Sequence, residues 1–455
     1  MKFLFTAFIL SFLAVFPAFS QSSDAALRRA IASDTIERKD GKLQILAAAE
    51  HLSRAETYMA NRMFPQAREH WAIVMENYPE DAGIPKALFG TARSYMWERE
   101  YLKAVDWFDK LLKDHAMTKD GREGLAFKGA SYVRAGKNIE AAKTYEQYVV
   151  MFPEGERIES AHLNIIDAYR EAGEYDKASD WVNRTAIRFS GKSAEANALQ
   201  ANVRMEIYRE RWASAVAAAD RLLRVGSFRG SMTSADEAKY LKALALEKQG
   251  KNAEANAVFD SIPNTFTSFF GGLAAERTKG SGVVKTVSVT RNHYTEYPIM
   301  FQAPVLKHAR KNGIDPRFVL AIMKQESSFR ARAKSPAGAR GLIQLVFDTA
   351  IKYKEEAGYK NLRPDDLYDP ETNVAIGSIY IRELKKQFDN MYEPVAASYN
   401  AGEDNAERWL NRTKPHEAGI FAAEVGFAET KNYVFKVMNN YRVYRELYNE
   451  DLTRK

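Results

Sequence analysis

Apolar and small residues recur at a fixed long period through the first half of the chain. Four tyrosines, at positions 58, 95, 132 and 169, follow one another every 37 residues. An alanine series keeps the same step, with aromatic residues nearby, as in Tyr101-x-x-Ala104-x-x-x-Phe108. Small residues let two antiparallel helices approach closely, so the spacing predicts five or six stacked helix pairs over residues 49–263. The alanine series is Ala67, Ala104, Ala141, Ala178, Ala215 and, after 40 residues, Ala255.

A second pattern, nearer the C-terminus, predicts a single buried helix that carries an acid. Asp315 can cap the helix and Pro316 occupies its first position. Val319, Ile322 and Met323 form an apolar stripe, and the next position on that stripe is Glu326. Either a partner neutralises this carboxylate, or the helix ends at a cleft. In a cleft, partial burial would raise the pKa of the acid and suit it to proton donation.

Three further segments differ from these patterns. Residues 1–20 predict a secretory signal peptide, with Lys2, an apolar run and small residues before Gln21, and so an exported protein. Residues 21–48 are a polar lead-in to which we assign no structure. Residues 264–294 are predicted to be a linker, broken by glycines at 280 and 282, and residues 295–455 a last domain.

The amino-acid composition limits the kinds of catalytic and binding site that the chain can carry. The chain has 455 residues, 46% of them hydrophobic, which is enough for two or three folded domains. It has no cysteine, which excludes disulfides, thiolate catalysis and a lipid-modified cysteine, and its seven histidines lack metal-ligand spacing. We therefore predict no cofactor and no metal. Nine of the residues 307–340 are Lys or Arg against two acids, so this region is either a solvated basic face or a groove for an anionic polymer. No nucleic-acid motif accompanies the charge.

Four blocks in the last domain resemble the soluble lytic transglycosylases, whose catalytic domain has a goose-type-lysozyme-like fold. In order they are Glu326-Ser327, Gly341-Leu342-Ile343-Gln344, Ser398-Tyr399-Asn400-Ala401-Gly402 and Glu429-Thr430-Lys431-Asn432-Tyr433-Val434. The repeats resemble tetratricopeptide repeats. The fold class expected is all-α: a tetratricopeptide-like helical solenoid followed by a lysozyme-like α domain.

The resemblance implies a role for individual residues. It implies that Glu326 is the single catalytic acid and base, without the second carboxylate that glycosidases usually need. Five other residues are implied to contact Glu326 or the glycan: Ser335, Gln344, Tyr399, Asn400 and Glu429. Tyr433 begins a stripe with Val437, Tyr441, Tyr444 and Tyr448 that we interpret as packing. Lys431 stands where the family commonly has Arg.

The resemblance, together with the predicted signal peptide, implies a periplasmic peptidoglycan lytic transglycosylase that leaves 1,6-anhydromuramic acid ends. Its partners would be glycan strands and a possible protein bound to the repeats, with no nucleic acid and no membrane segment after signal cleavage. The main alternative is a peptidoglycan-binding scaffold that recruits partners through its repeats and does not cut. A hydrolytic lysozyme is a third reading.

Overall fold

The computed structural model describes residues 20–279, 289–335 and 338–455, which form helices joined by turns and loops. They contain 23 α-helices, one 3-10 helix and isolated β-bridges without a sheet. The all-α prediction is confirmed. The signal peptide prediction falls on residues 1–20, which except for Ser20 lie outside the described ranges. The chain divides into two compact units, one of residues 17–201 and one whose described part begins at Asn202 and continues to the C-terminus.

The first unit is a succession of helix pairs, each joined by a short turn. The predicted alanines are each at most 1% exposed, and they lie in the second helix of each pair in both units. Gly136 and Gly173 adopt positive φ and follow the ends of two first helices, where only glycine is unstrained. The helices are α1 Ser20–Glu37, α2 Ala48–Ala60, α3 Phe64–Asn77, α4 Ile84–Trp97, α5 Tyr101–His115, α6 Lys119–Arg134, α7 Asn138–Met151, α8 Ile158–Glu171, α9 Tyr175–Arg188 and α10 Ser193–Tyr208, whose last turns lie in the second unit.

Helix α1 lies mostly in the polar lead-in at residues 21–48, for which no structure was predicted. Polar contacts hold it in place: Asp34 lies 2.6 Å from the Arg54 guanidinium and 3.0 Å from His70, and accepts a hydrogen bond from Tyr58. The Nδ1 atoms of His70 and His51 are 2.7 Å apart. Ala30 is also buried against the first helix pair, and Leu27 packs beside it. So few buried apolar positions do not form a periodic stripe, which explains why periodicity did not reveal the helix.

The second unit contains the end of the repeat array and the last domain. Helix α17 is at the centre of the last domain, and its residues from Phe318 to Met323 are fully buried on every side. The predicted stripe of Val319, Ile322 and Met323 is thus buried, and the residues between its members are buried as well. The helices are α11 Trp212–Leu223, α12 Ala235–Lys248, α13 Asn252–Asp260, α14 Phe269–Arg277, α15 Arg291–Glu296, α16 Gln302–Lys311, α17 Pro316–Glu326, α18 Phe347–Tyr353, the 3-10 helix Pro364–Tyr368, α19 Pro370–Gln387, α20 Tyr392–Ala401, α21 Glu403–Asn411, α22 Ala418–Glu424 and α23 Ala428–Leu447.

The predicted linker includes α14 and α15, and residues 280–288 between them lie outside the described ranges. Helix α14 packs against both α12 and α23, so it contacts the repeats and the last domain. Nothing in the described part of the chain forms a helix that is long and apolar enough to cross a bilayer. The exact domain limits proposed from the sequence stay predictions.

Candidate active site

Glu326 is the last residue of α17, and the backbone beyond it turns sharply. The buried Ser327 hydroxyl bonds the carbonyl oxygens of Met323, at 3.1 Å, and Leu342, at 2.7 Å. Ser328 and Phe329 then both adopt positive φ, at 48° and 63°. Such a conformation costs about 1–3 kcal/mol per non-glycine residue and persists only where surrounding contacts impose it. The Glu326 carboxyl is therefore held at the edge of the core by a strained, well-anchored turn.

The carboxyl of Glu326 is in an environment that favours its protonated form. Burial raises its pKa, and a hydrogen bond donated by Tyr433 partly opposes that effect, giving a pKa of about 7. No second carboxylate contributes to this shift among the residues that the structure describes. At neutral pH a large share of the molecules therefore carries a proton on Glu326, and a general acid needs that proton.

Tyr433 is the site residue that the sequence interpretation missed. It lies in the second turn of α23, and the hydroxyl of this buried side chain donates to Glu326 Oε1. Val437, Tyr441, Tyr444 and Tyr448, the rest of its stripe, are buried in the core as predicted. Period alone cannot distinguish the first member of such a stripe from the others. The position of Tyr433 inside the fourth motif block was the signal that could have identified it.

Tyr399 supplies a second tyrosine hydroxyl near the acid. Burial raises its pKa well above the usual value, and the charges of Tyr380 and Glu326 act in the same direction. Its ring lies 5.4 Å from the ring of Tyr380, and its buried hydroxyl has no hydrogen-bond partner among the described residues. A buried polar group without a partner costs about 1–3 kcal/mol, so a ligand oxygen or nitrogen that paired with Tyr399 would recover that energy.

The Gly341–Gln344 block forms a tight loop beside Glu326. Gly341 has a φ of +82°, and a Cβ there would lie 2.2 Å from the Leu367 carbonyl oxygen, so only glycine fits. The Gln344 amide nitrogen donates to the carbonyl oxygens of Gly341, at 2.8 Å, and Ala333, at 3.1 Å. Asn373 accepts from the Ile343 amide at 3.0 Å. Gln344 thus uses both amide hydrogens to brace the loop, and its Oε1 remains as an acceptor for a ligand.

The other three predicted residues are not all brought to Glu326. The Ser335 hydroxyl accepts from the Ala339 amide at 3.1 Å, whereas Glu326 accepts its hydrogen bond from Tyr433. The Ser335–Glu326 contact implied by the resemblance stays a prediction. Asn400 accepts from Thr430 at 2.5 Å, which joins α20 to the start of α23. Glu429 is exposed in the first turn of α23.

The described ranges contain no cluster of three or more His, Cys, Asp or Glu side chains that could hold a metal ion. The site consists instead of one carboxyl, two tyrosine hydroxyls and a braced loop. Such a set can donate and accept a proton and can hydrogen-bond a sugar.

Comparisons with known proteins agree with this architecture. A family model described as Transglycosylase SLT domain matches residues 303–421, and a Tetratricopeptide repeat model matches residues 128–193 and 202–265. The soluble lytic murein transglycosylase of Salmonella typhimurium is 32% identical over 151 residues, which are 33% of this chain and 23% of the relative. Its Escherichia coli K12 counterpart is 33% identical over 153 residues, with the same two shares. The match thus spans about a quarter of these relatives.

Two solved structures share the fold over most of the chain. The 70 kDa soluble lytic transglycosylase from Escherichia coli has a TM-score of 0.52 and 17% identity, with 94% of this chain and 85% of that one covered. The lytic transglycosylase Slt from Pseudomonas aeruginosa, in an inactive mutant form, has a TM-score of 0.52 and 15% identity, with 92% and 84% covered. The chain therefore carries a transglycosylase SLT domain at residues 303–421 together with tetratricopeptide repeats.

Proposed function

We propose that the chain is a peptidoglycan lytic transglycosylase that cleaves the β-1,4 bond between N-acetylmuramic acid and N-acetylglucosamine. The observation that carries the proposal is the half-buried Glu326, whose pKa is raised to about 7 beside two tyrosine hydroxyls. The SLT-domain match and the named relatives support the same substrate class.

In the proposed reaction Glu326 first gives its proton to the glycosidic oxygen as the C1–O bond breaks. The acetamido oxygen of the muramic acid assists from the opposite face. Glu326, now ionised, removes the proton of the C6 hydroxyl as that oxygen attacks C1. The products are a 1,6-anhydromuramic acid end and a free N-acetylglucosamine hydroxyl. No water is consumed, and the proton returns to Glu326.

The remaining residues are assigned supporting parts. Tyr433 orients the Glu326 carboxyl, and the unpaired hydroxyl of Tyr399 bonds the reacting sugar. The free oxygen of Gln344, the braced Asn400 and the exposed Glu429 contact the glycan, and Ser335 bonds Glu326 when the groove is filled. The site we propose is periplasmic, reached through the signal peptide predicted at residues 1–20.

Glu326→Gln tests the proposal. The amide keeps the shape of the side chain and still accepts from Tyr433, but it cannot transfer a proton. We expect turnover to fall by about 10²–10⁴-fold or more, because one group serves both proton transfers. Mass spectrometry of muropeptides released from purified sacculi by the full-length protein should show no anhydro product.

The matched control is Glu429→Gln, an exposed carboxyl that we expect to lower activity only in part. Anhydro product from Glu326→Gln at near the wild-type rate would contradict the assignment of Glu326. Reducing muramic acid ends from the wild type would indicate a lysozyme. Sacculus binding without any cleavage by the wild type would favour the scaffold function.

A further inference from the structure

The end of the repeat array belongs to the same compact unit as the candidate active site, and two buried ion pairs join them. Lys431 on α23 lies 2.7 Å from Glu237 on α12, and their side chains are 3% and 1% exposed. Glu424, the last residue of α22, lies 2.8 Å from Arg204 on α10 and is fully buried. Burying a charge costs so much desolvation free energy that a buried ion pair usually has a structural or functional reason.

The two pairs bracket the segment that leads into the site. Residues 424–431 close α22, cross to α23 and form its first turn, which includes Thr430 and its hydrogen bond to Asn400. Lys431 and Tyr433 are two positions apart on one helix, so their side chains leave it in nearly opposite directions. Lys431 meets the repeat helix α12, and Tyr433 meets Glu326 at the end of α17. The start of α23 is thus held between the repeats and the acid.

The contact between the repeats and this segment is closely packed beyond the ion pairs. A Cβ on Gly419 of α22 would lie 2.1 Å from the ring of Tyr240 on α12, so this ring packs directly against the backbone of α22. The Tyr240 ring also packs on Phe259 and Phe270, with centroids 5.5 Å away in each case. At the edge of the contact Arg277 lies 2.6 Å from Glu247 and also bonds Glu417. A contact packed this tightly transmits displacement from α12 to α22 and α23.

From this arrangement we propose that Glu237 and Lys431 are positioning residues for the reaction: the α12 helix of the repeat array fixes the start of α23 and, through Tyr433, the orientation of the Glu326 carboxyl. The proposal rests on the function proposed above. It assigns the last repeats a part in turnover, apart from any partner that binds the array.

The experiment compares three full-length variants: Glu237→Gln, Lys431→Met and the two combined. A small misplacement of a reacting group can cost about 10²-fold, so we expect each single variant to lower kcat by about 10- to 100-fold. The KM for sacculi should change little, because no glycan-binding residue is altered. Lys431→Arg, which keeps the charge, should retain most of the turnover. A matched control is Glu123→Gln in the first unit, which removes the partner 2.5 Å from Arg157 and should leave kcat unchanged.

A second comparison separates positioning from general loosening of the fold. If Glu237 acts through Tyr433, Glu237→Gln should cause no further loss of kcat in a Tyr433→Phe background, because the two changes interrupt one path. The same fractional loss in both backgrounds would overturn the proposal. So would wild-type kcat in a folded Glu237→Gln variant.

Hydrogen exchange keeps the inference testable apart from activity. Glu237→Gln should speed amide exchange in residues 428–436 and leave the first unit unchanged. If the wild type made no anhydro product, the proposed function would fail, yet faster exchange in residues 428–436 would still support this link. Unchanged exchange there would overturn it.

Discussion

Two carboxylates, one in each compact unit, accept a hydrogen bond from a tyrosine and yet are opposite in character. Burial raises the pKa of Asp34, but hydrogen bonds from Tyr58, His70 and Arg54 outweigh it and lower that pKa below the usual value. Burial also raises the pKa of Glu326, and only Tyr433 opposes it. Three donors make a permanently ionised structural anchor. One donor leaves an acid that can exchange its proton. The two roles differ because the donors around Asp34, which include the Arg54 cation, outweigh the effect of burial, whereas at Glu326 burial outweighs the one donor.

The largest expected effect on stability concerns the hydrogen-bonded cluster around Asp34. Asp34→Asn removes the most buried of the three carboxylates that pair with Arg54, while Glu37 and Glu50 remain beside the guanidinium. A hydrogen bond to a charged group is worth about 1.5–3 kcal/mol, so the first unit should unfold at clearly lower denaturant concentration. Hydrogen exchange resolved by region is the measurement, with turnover on sacculi measured in parallel. Equal stability, or a loss of turnover in a folded variant, would contradict the contrast between the clusters.

Removing Tyr433, the one hydrogen-bond donor to the Glu326 carboxyl, should change the reaction rate and its pH dependence. Tyr433→Phe lets burial act unopposed, so the pKa of Glu326 rises further and the alkaline fall in kcat/KM moves above pH 7. Loss of a hydrogen bond to a charged group is worth about 1.5–3 kcal/mol, so turnover should fall about tenfold or more.

Tyr444→Phe is the matched control for that variant. It removes a hydroxyl of the same stripe that bonds the Pro298 carbonyl at 3.2 Å. It should alter neither the pH profile nor the rate. If the pH profile of Tyr433→Phe equals that of the wild type, the Tyr433 hydroxyl does not set the pKa of Glu326.

Changes of pH should affect the stability of the two units in opposite directions, through His51 in the first unit and Glu326 in the second. Burial lowers the pKa of His51, so below about pH 6.5 the unfolded chain binds a proton that the folded unit resists. The contribution of His51 to stability is therefore lost as pH falls. The pKa of Glu326 rises from 4.5 to about 7, so the folded unit keeps a proton that the unfolded chain releases. Its contribution is lost as pH rises from 4.5 through 7.

Substitution isolates each contribution. Glu326→Gln should stabilise the second unit by about 1–3 kcal/mol at pH 8 and by little at pH 4, since the desolvation cost exists only when the acid is ionised. His51→Gln should flatten the acid side of the stability curve of the first unit. Stability curves that run parallel to the wild type from pH 4 to pH 8 would refute both assignments.

The smallest effect is expected at the basic surface before the glycine loop. Arg330, Arg332 and Lys334 are exposed, so each contributes at most about 1 kcal/mol to contact with an anionic polymer. Reversing all three to Glu should weaken sacculus binding at low salt, and the difference should shrink as salt screens the charges. Identical binding at low salt would mean that this face is only solvated.

Much of this architecture follows from local periodicity. The alanine step placed the close helix contacts, and the interrupted stripe at Glu326 placed the acid. The features that could not be predicted from the sequence depend on contacts between residues far apart in the chain or on buried polar side chains. Helix α1 is held by the polar contacts of Asp34 and by only a few apolar ones, such as that of Ala30. Tyr433 is indistinguishable by period from Tyr441 or Tyr444. Lys431 meets Glu237, 194 residues earlier, and no periodic signal records such a pair.

The contact between Gly419 and Tyr240 bears on how such proteins can be recombined. A boundary drawn at the start of the SLT match would separate these two residues and expose Lys431 and Glu424. A catalytic module moved to another repeat array would then carry two stranded charges and a glycine without its opposing ring. The natural unit of exchange begins instead before α10, which carries Arg204, and includes the last helices of the array. The repeats before that point contribute none of the residues of these two ion pairs, so an exchange among those repeats would keep Lys431 and Glu424 paired.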